Sequence, residues 1–135
     1  MTRPIRFLLS REENVDPQVD WIVAQKLRGA GFEVILGGVL SPEQTAETAR
    51  DEGVDLVGYG VTDHRTAATR LIAHMHECGI GGLPVVIGAS PGESEEAALR
   101  EIGVREVFNP LNVTKDTLER FRAVGRLKPS GPGSS

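Results

Sequence analysis

Residues 21–61, WIVAQKLRGAGFEVILGGVLSPEQTAETARDEGVDLVGYGV, alternate helical and extended patterning in one continuous stretch. Val23 and Leu27 fall on one side of a helix together with Val19, Ile22 and Ala30, and Gly29 or Gly31 supplies the stop. Phe32 to Leu36 is a short apolar run of strand type. Ser41, with Pro42 in the first helical turn and Gln44 three residues on, is a capping box that starts a helix reaching about Glu52. Asp55 to Tyr59 is another apolar strand.

The same alternation continues in both directions. Upstream, Ile5 to Leu9 is a strand, and Pro17 opens the first helix at a position that tolerates proline. Downstream, a loop from Gly60 to Asp63 leads to a helix whose inner stripe is Ala68, Leu71, Ile72, Met75 and Cys78. Leu83 to Ile87 is the fourth strand and Glu93 to Ile102 the fourth helix; Glu106 to Phe108 is a short fifth strand, and Thr114 caps a last helix to about Arg126.

Apolar runs without a polar alternate face suit a parallel sheet covered by helices on both sides. Right-handed crossovers make 2-1-3-4-5 the natural doubly wound order for such units. Ligands on these sheets bind beyond the carboxyl ends of the strands, beside the switch between the first and third. That rule selects the loops Ser10 to Asp16, Gly60 to Asp63, Gly88 to Gly92 and Asn109 to Asn112.

At 135 residues the chain suits one domain, 1–128, followed by a tail of Pro, Gly and Ser, 129–135, that is expected to be disordered. A formal charge of −4 without a basic cluster argues against gripping nucleic acid. The single Cys78 allows no internal disulfide. Phe7-Leu8-Leu9 is far shorter than a membrane span of roughly 20 residues, so no membrane is expected as a partner and the chain reads as cytoplasmic.

The stretch around AGFEVI resembles the cobalamin (vitamin B12)-binding domain of the acyl-CoA mutases, especially their separate small subunits. That family carries Asp-x-His-x-x-Gly between its first strand and first helix, and the His ligates cobalt. Extending the match back without a gap puts Asn14 at the motif's Asp, Asp16 at its His and Val19 at its Gly. Gly60-Val61-Thr62 stands where the family usually has Ser-x-Leu, and Gly88-Ala89 where it has Gly-Gly. The resemblance runs from about Ile5 to Arg126, strong in the scaffold and eroded in the cofactor loops. It implies a flavodoxin-like α/β domain with cobalamin as cofactor. Asn14, Val15, Asp16 and Val19 would then face the lower side of the ring or its displaced tail. Gly60, Val61, Thr62, Gly88, Ala89 and Ser90 would line the tail slot, with Asn109 and Pro110 in the fifth loop.

Asp16 is a poor substitute for imidazole on this metal, because a carboxylate is a hard oxygen donor. It is open to two readings: a group that accepts a hydrogen bond from a cobalt-bound water, or a plain cap on the first helix. Val19 narrows the slot that glycine would leave open. His64, near the carboxyl edge, reads as a replacement ligand or a surface histidine. His74, His76 and Cys78 form His-x-His-x-Cys on a helix, where residues two apart point to different sides, so a zinc site is not expected. Trp21 lies nearly opposite the inner stripe of its helix and is expected to be exposed, as a partner contact or an isolated apolar residue.

Two functions of different class follow. One is a cobalamin-binding subunit of an adenosylcobalamin-dependent acyl-CoA mutase system, with an atypical site lacking the cobalt-ligating His. It would be inactive alone and act with a larger substrate-binding subunit that docks through Trp21. The other is a degenerate domain that has lost the cofactor and serves as an interaction or regulatory module. A phosphoacceptor receiver domain is disfavoured: Asp63 comes three residues after the third strand, and Asn109-Pro110 stands where Lys-Pro is needed.

Overall fold

The computed structural model describes residues 3–89 and 93–126. Along the chain come β1 (Arg6–Arg11), α1 (Pro17–Gly29), β2 (Glu33–Val39), α2 (Pro42–Glu52), β3 (Leu56–Gly60), α3 (His64–Glu77), β4 (Val85–Gly88), α4 (Glu93–Ile102), β5 (Glu106–Phe108) and α5 (Lys115–Gly125). The five strands form one parallel sheet in the order β2-β1-β3-β4-β5. The doubly wound topology read from the sequence is the one observed. Residues 129–135 lie outside the described residues.

Two cores sit on the two faces. On one, Leu8, Val57, Tyr59, Val85 and Ile87 meet Ala46 and Ala49 of α2, Ala68, Leu71 and Met75 of α3, and Leu99 of α4. On the other, Phe7, Leu9, Leu56, Val86 and Phe108 meet Val23, Ala24 and Leu27 of α1 and Phe121 and Val124 of α5. This second core is held by an aromatic chain in which Phe121 stands 5.5 Å from Phe7 and 4.9 Å from Phe108. Gly58 is part of that packing: a Cβ there would come within 2.5 Å of the fully buried Phe7 ring. Only glycine lets β3 pass under it.

The helix starts are set by side chains. Ser41 accepts from the Gln44 amide at 3.0 Å while the Gln44 side chain accepts from the Ser41 amide at 2.9 Å, which completes the capping box. Thr114 accepts from the Thr117 amide at 3.2 Å, and Asp16 from the Gln18 amide at 2.9 Å. Each such cap is worth about 1 kcal/mol.

The strands run farther toward their carboxyl ends than hydrophobicity alone indicates. β1 reaches Arg11 and β2 reaches Val39, because Ser10 pairs with Tyr59 and Gly38, and Arg11 with Gly60 and Val39. Ser10 is buried without penalty since its hydroxyl meets that of Thr45 at 2.9 Å. On α1, Ile22 is 42% exposed and is not on the inner stripe; Asp20 and Ala24 are buried there instead. The helix is rotated so that an ion pair, described below, takes the inward place at Asp20. Trp21 is 56% exposed, on the outer side as expected. Among the described residues, no helix is long and apolar enough to cross a membrane.

His74 joins α2 to α3. Its Nε2 lies 2.9 Å from Glu47 and its Nδ1 3.0 Å from Glu77. The hydrogen bond with Glu47 raises its pKa above 6.5, reinforced by Glu77 and opposed by burial. A histidine pKa raised by folding contributes stability that is present below the unfolded value and lost as pH rises through the folded one. Thermal midpoints should therefore fall from about pH 6 to about pH 8, and His74→Gln should flatten that slope. An unchanged slope in the variant would show that the clasp has no such role.

Candidate functional site

At the carboxyl edge of the sheet, on the α1 and α5 side, lies an apolar cavity of about 170 Å³. Val15, Val19, Gly60, Val61, Gly88, Ala89 and Pro110 line it, bringing together residues from all four loops that the topology selects. Sequence reasoning missed the rest of the lining: Leu9, Asp20, Val23, Phe108 and Leu111. Leu9 of β1 and Phe108 at the end of β5 face this side, and Val23 is one turn beyond Val19, so strand alternation and helix spacing carried that signal. Two backbone approaches shape the floor. A Cβ on Gly60 would meet Val15 Cγ1 at 3.6 Å, and one on Gly88 would meet the Phe108 ring at 3.1 Å.

The other expected site residues lie elsewhere. Asn14 lines a polar cleft of about 440 Å³ on the opposite face of the edge, with Glu12, Glu13, Tyr59, Asp63 and Arg70. Thr62 does not line the apolar cavity: its amide and hydroxyl donate to Glu12 Oε2 at 3.1 and 3.0 Å, tying the first loop to the third. Asn109 accepts from the Leu111 amide at 3.0 Å and shapes its own turn. Asp16 is exposed and engaged as the α1 cap. His64 Nδ1 lies 3.5 Å from Glu95 between α3 and α4, across the sheet from the cavity. Ser90 lies outside the described residues. In the polar cleft Tyr59 donates to the Leu40 carbonyl at 2.7 Å, and burial, with Glu12 nearby, pushes its phenol up to about 12. It is a neutral donor at working pH.

The cavity wall carries one charged side chain. Asp20 accepts from Arg11 Nη1, and the two side chains are 11% and 14% exposed. Burial raises the Asp20 pKa despite the hydrogen bond and charge of Arg11, so desolvation is the larger effect. Arg11 Nε is buried with no hydrogen-bond partner among the described residues. The pair thus orients α1 on β1 at a desolvation cost.

An apolar cavity of about 150 Å³ can hold benzene, so this one accommodates a small aromatic group. It falls below the roughly 300 Å³ at which cofactor-sized pockets begin. The donor set does not suit a metal: no histidine lines the cavity among the described residues, and no group of three or more His, Cys, Asp or Glu there is placed to hold one.

No family profile matches the chain. It is 36% identical over 110 residues to the 2-hydroxyisobutanoyl-CoA mutase small subunit of Aquincola tertiaricarbonis, covering 78% of this chain and 80% of that one. It is 33% identical over 132 residues to the pivalyl-CoA mutase small subunit of Xanthobacter autotrophicus, covering 93% and 86%. The chain belongs to the acyl-CoA mutase small-subunit family. Among solved structures, a cobalamin-binding protein from Desulfitobacterium hafniense matches with a TM-score of 0.73 at 15% identity, over 90% of this chain and 59% of that one. A Mycobacterium tuberculosis response-regulator receiver domain has the same TM-score at 10% identity, over 94% of this chain and 100% of that one. Backbone similarity therefore identifies the fold, and the sequence relatives identify the family.

The ion pair of this mutase-family chain gives a test of what holds α1 over the cavity. Asp20→Ala should cost about 3 kcal/mol in urea unfolding, because it strands Arg11 in a buried place. The double change Arg11→Leu with Asp20→Leu should restore stability to within about 1 kcal/mol of the parent. Equal losses in both proteins would mean that packing, and not the orphaned charge, decides the cost.

Proposed function

We propose that this chain is the cofactor-holding small subunit of an adenosylcobalamin-dependent acyl-CoA mutase-type enzyme, working in the cytosol beside a larger substrate-binding subunit and inactive alone. The observation that carries the reading is the apolar cavity itself. Seven residues assigned from the family resemblance converge on it from α1 and the ends of β3, β4 and β5. Cobalamin, when bound, supplies the radical chemistry. Of the chain's own residues, Val61, Ala89 and Phe108 would exclude water from an apolar group in the cavity, and Glu12 would hold the first and third loops together. Asp16 and His64 are the notional metal-side groups, and both are occupied by other partners. On this reading the site would be atypical, because no imidazole lines the cavity among the described residues.

A second reading, a domain that keeps the fold and serves only as an interaction module, is favoured by the two valines that narrow the cavity. Titration with hydroxocobalamin and adenosylcobalamin, followed by visible spectrum and calorimetry, separates the two. Saturable binding is expected, and Val19→Gly should strengthen it while lowering stability by about 0.4 kcal/mol through lost helix propensity. Asp16→His should add the spectral change of a new cobalt ligand. No binding at about 100 μM, weaker than about −5.5 kcal/mol, would favour the interaction module.

For the larger partner, the natural docking residues are on and beside α1. Trp21 and Ile22 are 56% and 42% exposed, and Leu36 and Val39 of β2, 43% and 50% exposed, add apolar surface on the strand at the sheet edge. As the sole tryptophan, Trp21 reports directly on docking. Its emission should shift to the blue when the cognate large subunit is added, and Trp21→Ala should weaken the complex about tenfold or more, as loss of a buried aromatic anchor does. Unchanged emission in a formed complex would place the interface elsewhere.

A further inference from the structure

A cavity of about 370 Å³ opens at the amino-terminal edge of the sheet, opposite the apolar slot. Three guanidinium groups line it, from Arg3 ahead of β1, Arg122 in the last turn of α5, and Arg126 at that helix's end. Pro4, Ile5 and Phe32 supply apolar wall, and no acidic side chain lines it among the described residues. In a chain of net charge −4 this gathering of cations requires a cause.

Intramolecular contacts account for part of it. Arg3 pairs with Asp55 at 2.8 Å. Arg122 donates to the Ala30 carbonyl at 2.9 Å, stands 5.4 Å over the Phe32 ring, and lies 3.5 Å from the exposed Glu119. These contacts hold the guanidinium of Arg122 in place and cover a carbonyl that would otherwise repel an anion. Arg126 has no side-chain hydrogen bond or ion pair among the described residues. It follows Arg122 by four positions, a spacing at which like charges on a helix repel. A helix C-terminus favours a nearby cation, which explains one arginine on α5 and leaves the convergence with Arg3 unexplained.

We infer that this cavity binds the phosphate group of a small organic phosphate, with Arg122 and Arg126 on the anion and the organic body against Pro4, Ile5 and Phe32. Guanidinium forks match phosphate oxygens in paired hydrogen bonds. Asp55 and the exposed Glu119 offset two of the three positive charges, which leaves the charge of Arg126 unpaired among the described residues, and a phosphate ester carries nearly two negative charges at neutral pH. The volume exceeds what an inorganic anion fills and lies within the range of small-ligand pockets. Because the site is at the other edge of the sheet, it does not depend on corrinoid binding.

The test is calorimetric titration of the full chain with phenyl phosphate and with inorganic phosphate at low salt, where surface electrostatics are least screened. Phenyl phosphate should saturate with a Kd below about 1 mM and bind at least about tenfold tighter than inorganic phosphate. Arg126→Gln should weaken it about tenfold at an unchanged thermal midpoint, while Arg65→Gln, the same charge change on α3, should leave it unaltered. The inference is overturned by the absence of saturable phenyl phosphate binding up to about 10 mM, by equal affinity for the two anions, or by equal losses in the two variants.

Discussion

Burial of β1 on both faces is the constraint on which the rest of the molecule depends. Phe7 and Leu8 are fully buried and Leu9 nearly so, yet they point alternately into different cores. Each such side chain contributes about 2 kcal/mol relative to exposure. A strand with no wet face must lie inside a sheet with helices above and below, and parallel crossovers then place β2 and β3 on either side of it. That placement creates the switch point at the carboxyl end of β1, where the chain leaves toward α1 on one face while β3 leads to α3 on the other. The apolar slot and the polar cleft are the two sides of this opening.

The sheet's carboxyl edge is held by polar contacts that the hydrophobic pattern does not show. Glu12 joins the first loop to Thr62, Tyr59 joins β3 to the end of β2, and Arg11 with Asp20 presses α1 onto β1. These contacts keep Val15 and Val19 over the slot. Val15 and Val19 are among the side chains that bound its volume.

The fold was legible because its signals are local and mutually consistent: apolar strands of a few residues, proline-started helices, and the Ser41 capping box. Strand ends were less legible. Ser10 and Arg11 look like loop by polarity, and only the partner strands and the Thr45 hydroxyl make them part of β1. Asp20 was missed for the same reason, since a buried carboxylate can be recognised only when Arg11 is seen beside it. In the site, the glycines and small residues at strand ends were readable because backbone approach demands them. Asn14, Thr62 and Asn109 were readable as loop residues; Asn14 lines the polar cleft instead, and the hydrogen bonds of Thr62 and Asn109 are made away from the slot.

Hydrogen exchange of the chain with and without hydroxocobalamin tests most directly the proposal that the slot beneath α1 would hold cobalamin. The account predicts slowed exchange in residues 15–23, 60–62 and 108–111, with α2 and the amino-terminal edge unchanged. Protection confined to the polar cleft or to the α2 and α3 face would contradict it.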